Sequence, residues 1–403
     1  MGLTNKIKYT GNELKYLKKV LDRELPNAQA KNWTDHLEKQ FAEKFEAKYA
    51  IAFNSGTATM HAALMAAGVG VGDEVISPAL TVIMNTSTTF HAGAIPVYAD
   101  VNPKTFSIDP KDIEKKITDR TKAISLVNIY GLPCDMDPIM DLAKKHNLFV
   151  LEDNAECFMS RYKSKLTGTI GHMGSYSFEN SKHISCGEGG MLTTNDPELA
   201  ENARKIGAHG FKGLTASDNS VKQNLDVFQN PDYERHDMIG WNYRLPDFLS
   251  AIALAQLEKL DYFIECRQYA AKVFNEAIGD SDLITPQFVP KSCTNSYWAF
   301  GARYNGEKNG SLSWRDFRKN YILNGGDGIY SAWKPPYLEP LMYKKKYVKL
   351  NPDLYKNLNY EKGICPVAEE LQKELLVFKT NYYDKNIADQ KAEALFTTLK
   401  DLS

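Results

Sequence analysis

The feature that most constrains this chain is a regular alternation, between residues 49 and 194, of short strand-like runs and helical patterns separated by tight turns. The pattern predicts strands at 49–53, 74–77, 95–99, 123–129, 148–152, 175–178 and 190–194, with helices at 60–67, 110–117 and 136–146. Strands that alternate with helices across short turns build a mainly parallel central sheet covered by helices. Upstream, Leu37, Phe41 and Phe45 recur every four residues and predict a helix over 34–49, with Thr34 or Asp35 as its cap. Downstream, Pro246 opens a predicted long helix over 246–260, with Leu249, Ala253 and Leu257 on one face. Beyond it the pattern becomes α+β: a strand at 298–304, a helix at 313–323, a glycine-rich turn at 325–328 and a terminal helix from 385. The expectation is an α/β protein in two parts, a large domain at 1–250 with an N-terminal helical segment and a smaller α+β domain at 251–403.

Charge excludes several classes of partner. The chain carries 49 basic and 50 acidic residues, so no net field draws it to nucleic acid or to a membrane surface. Residues 1–19 are polar and lysine-rich, without the apolar core of an export signal, and no run approaches the roughly 20 apolar residues of a membrane helix. The six cysteines form no CxxC pair and the eight histidines show no ligand spacing. Reduced thiols in a cytoplasmic enzyme are expected, and a zinc site is not.

Three segments carry chemistry. Between Gly174 and Gly190 the chain reads GSYSFENSKHISCGEGG. Most lysines are surface groups. A lysine placed between a strand and a glycine-rich turn, as Lys182 is, can be partly desolvated at a sheet's edge and made nucleophilic. The glycines admit a ligand close to the backbone, or only form a turn. At Leu151-Glu152-Asp153-Asn154-Ala155-Glu156 a strand ends in carboxylates, at the sheet edge where α/β proteins bind ligands. Asp153 there either pairs with a ring nitrogen or caps a following helix. At Asn54-Ser55-Gly56-Thr57-Ala58 a strand passes into a helix whose free N–H groups suit a phosphate. Together these residues fit a pyridoxal-phosphate site.

The same segments, with WTDHLEKQFAEKFEAKYAIAFNSGT (Trp33 to Thr57), YGLPCDMD (Tyr130 to Asp137) and GWNYRLPDFLSAIALAQLEKL (Gly240 to Leu260), resemble the DegT/DnrJ/EryC1/StrS sugar aminotransferases over nearly the whole chain. The resemblance implies the pyridoxal-phosphate transferase fold of type I and a set of roles. Lys182 matches the Schiff-base lysine and Asp153 the partner of the pyridine nitrogen. Glu156 matches a residue, more often Gln, near the phenolic oxygen. Gly56, Thr57, Ala58 and Ser177 match the phosphate site. Asn242 matches a residue that reaches the phosphate of the neighbouring subunit, which implies a homodimer with shared sites. Val82 stands where the family usually stacks an aromatic ring on the cofactor. As a carboxylate would repel a phenolate, Glu156 is expected to be neutral or turned away. In one branch of the family a histidine replaces the lysine and the enzyme dehydrates; here His183 follows Lys182, and a packing role is expected for it.

The implied reaction is ping-pong transamination through pyridoxamine phosphate, from L-glutamate to a keto sugar, as a rule nucleotide-linked, in surface-glycan or amino-sugar biosynthesis. A small keto-phosphate as acceptor, or a sugar dehydratase, remains an alternative. Candidates for the acceptor pocket, more simply core residues, are the segments 325–330, with Tyr330, 331–334, with Trp333 and Lys334, and 365–367.

Overall fold

The computed structural model describes residues 8–220 and 224–402. Its centre is a seven-stranded sheet of order β1-β9-β8-β5-β4-β2-β3. These strands are β1 (Tyr49–Phe53), β2 (Glu74–Pro78), β3 (Ile95–Ala99), β4 (Thr121–Val127), β5 (Phe149–Asp153), β8 (Met173–Ser177) and β9 (Gly190–Thr194). A small hairpin, β6 (Arg161–Tyr162) and β7 (Lys165–Leu166), stands apart from it. The pairs β2–β3, β2–β4, β4–β5 and β5–β8 are parallel, whereas β8–β9 and β1–β9 are antiparallel. The sheet is therefore mainly parallel with one reversed strand, and the carboxyl ends of β1, β2, β5 and β8 share one edge.

Most strands run buried along their full length, as a sheet covered on both faces requires. The helices in chain order are α1 (Glu13–Leu21), α2 (Trp33–Lys44), α3 (Gly56–Ala66), α4 (Met84–His91), α5 (Pro110–Lys116), α6 (Met136–His146), α7 (Pro197–Gly207), α8 (Leu225–Gln229), α9 (Asp247–Leu257) and α10 (Leu260–Ile278). Helix α2 starts earlier than its periodicity suggests: Asn32, not Thr34 or Asp35, is the cap, its side chain accepting the Asp35 N–H at 2.6 Å. It also ends at Lys44, because Glu46 takes a left-handed φ of 56° and turns the chain into β1.

The helix expected over 246–260 is α9, which ends at Leu257, and a second helix that the sequence reading does not predict follows it. Lys259 N–H bonds the Gln256 carbonyl at 3.0 Å, and this tight turn ends α9 and starts the 19-residue α10. Helix α9 packs on α1 and α2, and α10 packs on the terminal helix Lys385–Lys400. A second, three-stranded antiparallel sheet, β10-β11-β12 (Ile284–Pro286, Ala299–Tyr304, Leu375–Lys379), completes the fold. Apolar residues from the segment 332–365, with its short helical turns, join Ala79, Leu80 and Tyr130 in one buried cluster, so this part closes over the edge where the strands end.

Candidate active site

At that edge lies a cavity of about 690 Å³. Gly56 and Thr57 reach it from the start of α3, Val82 from the loop after β2, Asp153 from the end of β5, Ser177 from the end of β8, and Lys182 from the loop after β8. Six of the cofactor residues singled out from the sequence thus line one cavity. Ala58, Glu156 and Asn242 do not line it. Ala58 is buried in α3, and its N–H is taken by the Ser55 hydroxyl at 3.1 Å. Asn242 is exposed and lines a separate cavity of about 410 Å³ beside Arg204 and Arg244.

Ser55 satisfies only one of the N–H groups that the first turn of a helix leaves without intrahelical partners. Those of Gly56 and Thr57 remain for a ligand at the cavity wall. Gly56 is required sterically: a Cβ there would stand 2.8 Å from the Ser177 Cβ. Ser177 Oγ accepts the Glu179 N–H at 3.4 Å.

Asp153 caps no helix, since the chain after it forms only turns. Its Oδ1 accepts the Ala155 N–H at 3.0 Å and its Oδ2 the Asn85 amide at 3.4 Å. Asn85 is in turn fixed by the Ser125 hydroxyl at 2.6 Å. Burial pushes the Asp153 carboxyl above the usual range, while the Ala155 N–H, the Lys182 ammonium and Asn85 pull it back. A cation placed beside it would hold it ionised.

Glu156 lies behind the cavity lining, beside Lys182. Its Oε1 lies 3.8 Å from Lys182 Nζ, and its Oε2 accepts the Tyr130 N–H at 3.0 Å. Burial raises the pKa of its carboxyl, which favours the neutral form expected from the sequence; Lys182 acts in the opposite sense.

The loop that carries Lys182 is held by distant side chains. Lys8 Nζ donates to the carbonyls of Asn180 at 2.7 Å and Lys182 at 3.0 Å. Arg267 Nη2, from α10, donates to those of Ser181 at 3.2 Å and Lys182 at 3.3 Å. His183 is buried against Phe158, its Nε2 3.1 Å from the Ser296 carbonyl, and burial followed by the Arg267 charge holds its imidazole neutral. It packs, as expected.

Thr81, Glu179 and Glu188 also line the cavity, and sequence reasoning did not assign them. The GEGG run contained Glu188, but nothing in the sequence aimed it. Of the acceptor candidates, Trp333 and Lys334 line the cavity, whereas Tyr330 pairs with Val377 in a bridge beside β12 and Cys365 is buried. Thr81 Oγ1 is buried without a hydrogen-bond partner among the described residues. An orphaned hydroxyl, a buried carboxyl, a lysine amine and open helical N–H groups around one space fit pyridoxal phosphate.

A sheet that gathers these groups at its carboxyl edge is built as fold-type-I enzymes are, and the protein is of that class, a pyridoxal-phosphate-dependent aminotransferase. The chain belongs to the DegT/DnrJ/EryC1/StrS aminotransferase family, whose model matches residues 9–377. It is 39% identical to the GDP-perosamine synthase of Escherichia coli O157:H7 over 340 residues, 84% of this chain and 86% of the relative. Its fold matches the X-ray structure of an aminotransferase from Psychrobacter cryohalolentis with a TM-score of 0.83 and 28% identity, over 97% of each chain. It also matches a GDP-4-keto-6-deoxymannose-3-dehydratase with bound GDP-perosamine at a TM-score of 0.78 and 25% identity, over 95% of this chain and 97% of that one.

Proposed function

We propose that the enzyme transfers an amino group from L-glutamate to a nucleotide-linked keto-deoxysugar, with GDP-4-keto-6-deoxymannose as the acceptor to test first. The observation that carries this reading is the placement of Lys182 and Asp153 on one cavity wall in a chain so similar to a GDP-perosamine synthase. When bound, the cofactor supplies an aldehyde that condenses with amines and a ring that takes up negative charge. Asp153 keeps a proton on the ring nitrogen by pairing with it. The N–H groups of Gly56 and Thr57 and the Ser177 hydroxyl bind the phosphate. Thr81 and Val82 cover the ring; an aliphatic side chain excludes water there without stacking.

Lys182 is the catalytic residue. Its amine would hold the cofactor's aldehyde in the resting enzyme and, once the donor's amine has taken its place, would be free to take the proton from the donor α-carbon. Glu156 keeps that amine within reach. Trp333 and Lys334 bound the acceptor side, where an aromatic face suits a sugar or base and an ammonium suits a diphosphate. His183, bonded to the Ser296 carbonyl away from the cavity wall, does not favour a dehydratase.

In this reading residues 1–250 hold the cofactor and residues 251–403 supply the acceptor side. The enzyme works in the cytoplasm as a homodimer. Asn242, exposed and off the cavity wall, serves the site of a second copy.

The test has two parts. Borohydride reduction of the holoenzyme should leave a pyridoxyl tag on Lys182, and glutamate should release 2-oxoglutarate. The pyridoxamine form should then aminate a member of a keto-sugar nucleotide panel. An untagged Lys182 removes the assignment of the lysine; failure across the whole panel removes the acceptor class.

A further inference from the structure

Trp298 meets the catalytic loop twice directly and once through Arg267. Its indole Nε1 donates to the Ser181 carbonyl at 3.0 Å. Its own carbonyl accepts from Arg267 Nη1 at 2.7 Å, and Arg267 also grips the Ser181 and Lys182 carbonyls. Its ring lies 4.5 Å from Lys182 Nζ. The other face of the arrangement is Trp333, whose ring is stacked on Trp298 with centroids 6.0 Å apart and planes 18° from parallel. Trp333 lines the cavity. One indole therefore touches the backbone that carries the catalytic amine, the amine itself, and the wall on which an acceptor would lie.

The physics favours a holding role. Of the aromatic side chains, tryptophan attracts a cation to its face most strongly, and the attraction grows when the pair is shielded from water. The Lys182 side chain is 13% exposed. The neighbouring Glu156 oxygen, at 3.8 Å, is too far for a hydrogen bond and does not fix the amine alone. A four-carbon side chain has many rotamers. The ring face and the carboxylate together confine it to one place.

We propose that Trp298 is a positioning residue for the Lys182 amine, and that its stack with Trp333 joins the acceptor wall and the amine in one aromatic platform. This rests on the assignment of Lys182 as the imine-forming amine. It predicts that disturbing the ring face alters the amine itself, and not only turnover.

The test uses full-length enzyme in its pyridoxamine-phosphate form, in which the Lys182 amine is free. Trinitrobenzenesulfonate labels lysines, and peptide mass spectrometry reads the rate at position 182 against surface lysines in the same sample. Trp298→Leu should speed labelling of Lys182 about five-fold, the size expected for one partly buried cation–aromatic contact. Trp298→Phe, which keeps a ring face but no N–H, should stay within about two-fold of the parent. Tetrafluorotryptophan placed at 298 keeps the shape and the N–H but drains the face, and should behave as leucine does even if the leucine variant folds poorly. In the glutamate half-reaction the maximal rate should fall while the concentration giving half of it changes little.

Unchanged labelling in the fluorinated enzyme overturns the proposal. So does a phenylalanine variant as fast as the leucine one, because the N–H would then be the active feature. Borohydride on the aldehyde form of the same preparations separates the two claims. No tag on Lys182 defeats the lysine assignment; a tag with unchanged labelling defeats only the role of Trp298.

Discussion

Lys182 Nζ and Glu156 Oε1 stand 3.8 Å apart at the edge of a buried wall, and the second oxygen of Glu156 is committed to the Tyr130 N–H. Tyr130 itself has a left-handed φ of 58°, so this bond holds a backbone conformation as well as a charge. Glu156→Gln keeps an acceptor for that N–H and should change stability by less than about 1 kcal/mol. Glu156→Ala leaves the N–H buried and unpaired and should cost roughly 1–3 kcal/mol. Urea unfolding of the two variants measures the difference; equal losses would show that the bond to Tyr130 contributes nothing.

Gly56 and Ser177 are in contact where α3 begins and β8 ends. Gly56→Ala places a methyl 2.8 Å from the Ser177 Cβ, and one of the two elements must move. Overpacking of this kind costs about 1–3 kcal/mol, and because the shift falls on the phosphate site, cofactor affinity should drop about ten-fold or more. Cofactor titration followed by absorbance reports it. Thr57→Ser, which adds no volume, should bind nearly as the parent does.

Glu152, one residue before Asp153, never meets the cavity, yet it anchors the strand that carries Asp153. Its carboxylate accepts the N–H groups of Gly168 at 2.8 Å, Ile170 at 2.8 Å and Gly171 at 2.6 Å. Glu152→Ala leaves one buried and two partly buried donors unpaired and should cost about 2–4 kcal/mol. Glu152→Gln turns an NH2 group toward one donor and should fall between alanine and the parent. Thermal unfolding ranks the three proteins, and a neutral alanine variant would contradict the account.

His61 gives a pH dependence. It is 4% exposed, its Nδ1 lies 3.0 Å from the Tyr243 hydroxyl, and its Nε2 is buried without a partner among the described residues. Burial, then the His91 charge, pushes its pKa down to about 4. The unfolded chain binds this proton near pH 6.5, so between pH 6.5 and 4 the unfolded state holds more protons than the folded one. Stability from this group is full above pH 6.5 and is lost as the pH falls toward 4, by up to roughly 3 kcal/mol. His61→Gln should flatten the melting temperature over that range. An unchanged slope would remove His61 as the cause.

The strands were legible because their signals are local. Runs 95–99 and 190–194 and the helix 136–146 match the structure residue for residue, each having apolar periodicity closed by a turn signal. Gly56, Thr57, Asp153, Ser177 and Lys182 fall on one wall because each sits at a strand's carboxyl end, which the order of segments already fixes. Helix α10 was missed because its apolar residues are interrupted by charged ones such as Asp261, Glu265, Arg267 and Lys272, unlike the evenly apolar α9 before it. Lys8, Arg267 and Trp298 carry no pattern at all: each is an isolated residue whose partner is a backbone carbonyl far away in the chain.

That distance also sets an order of events during synthesis. Trp298 lies 117 positions after the Ser181 carbonyl it grips. At roughly 5–20 residues per second a ribosome needs about 6 to 23 seconds to make that stretch. Until then the loop bearing the reactive amine has no anchor on that side. A nascent chain can lay down the strands that cradle a phosphate well before it can hold the lysine still on that side.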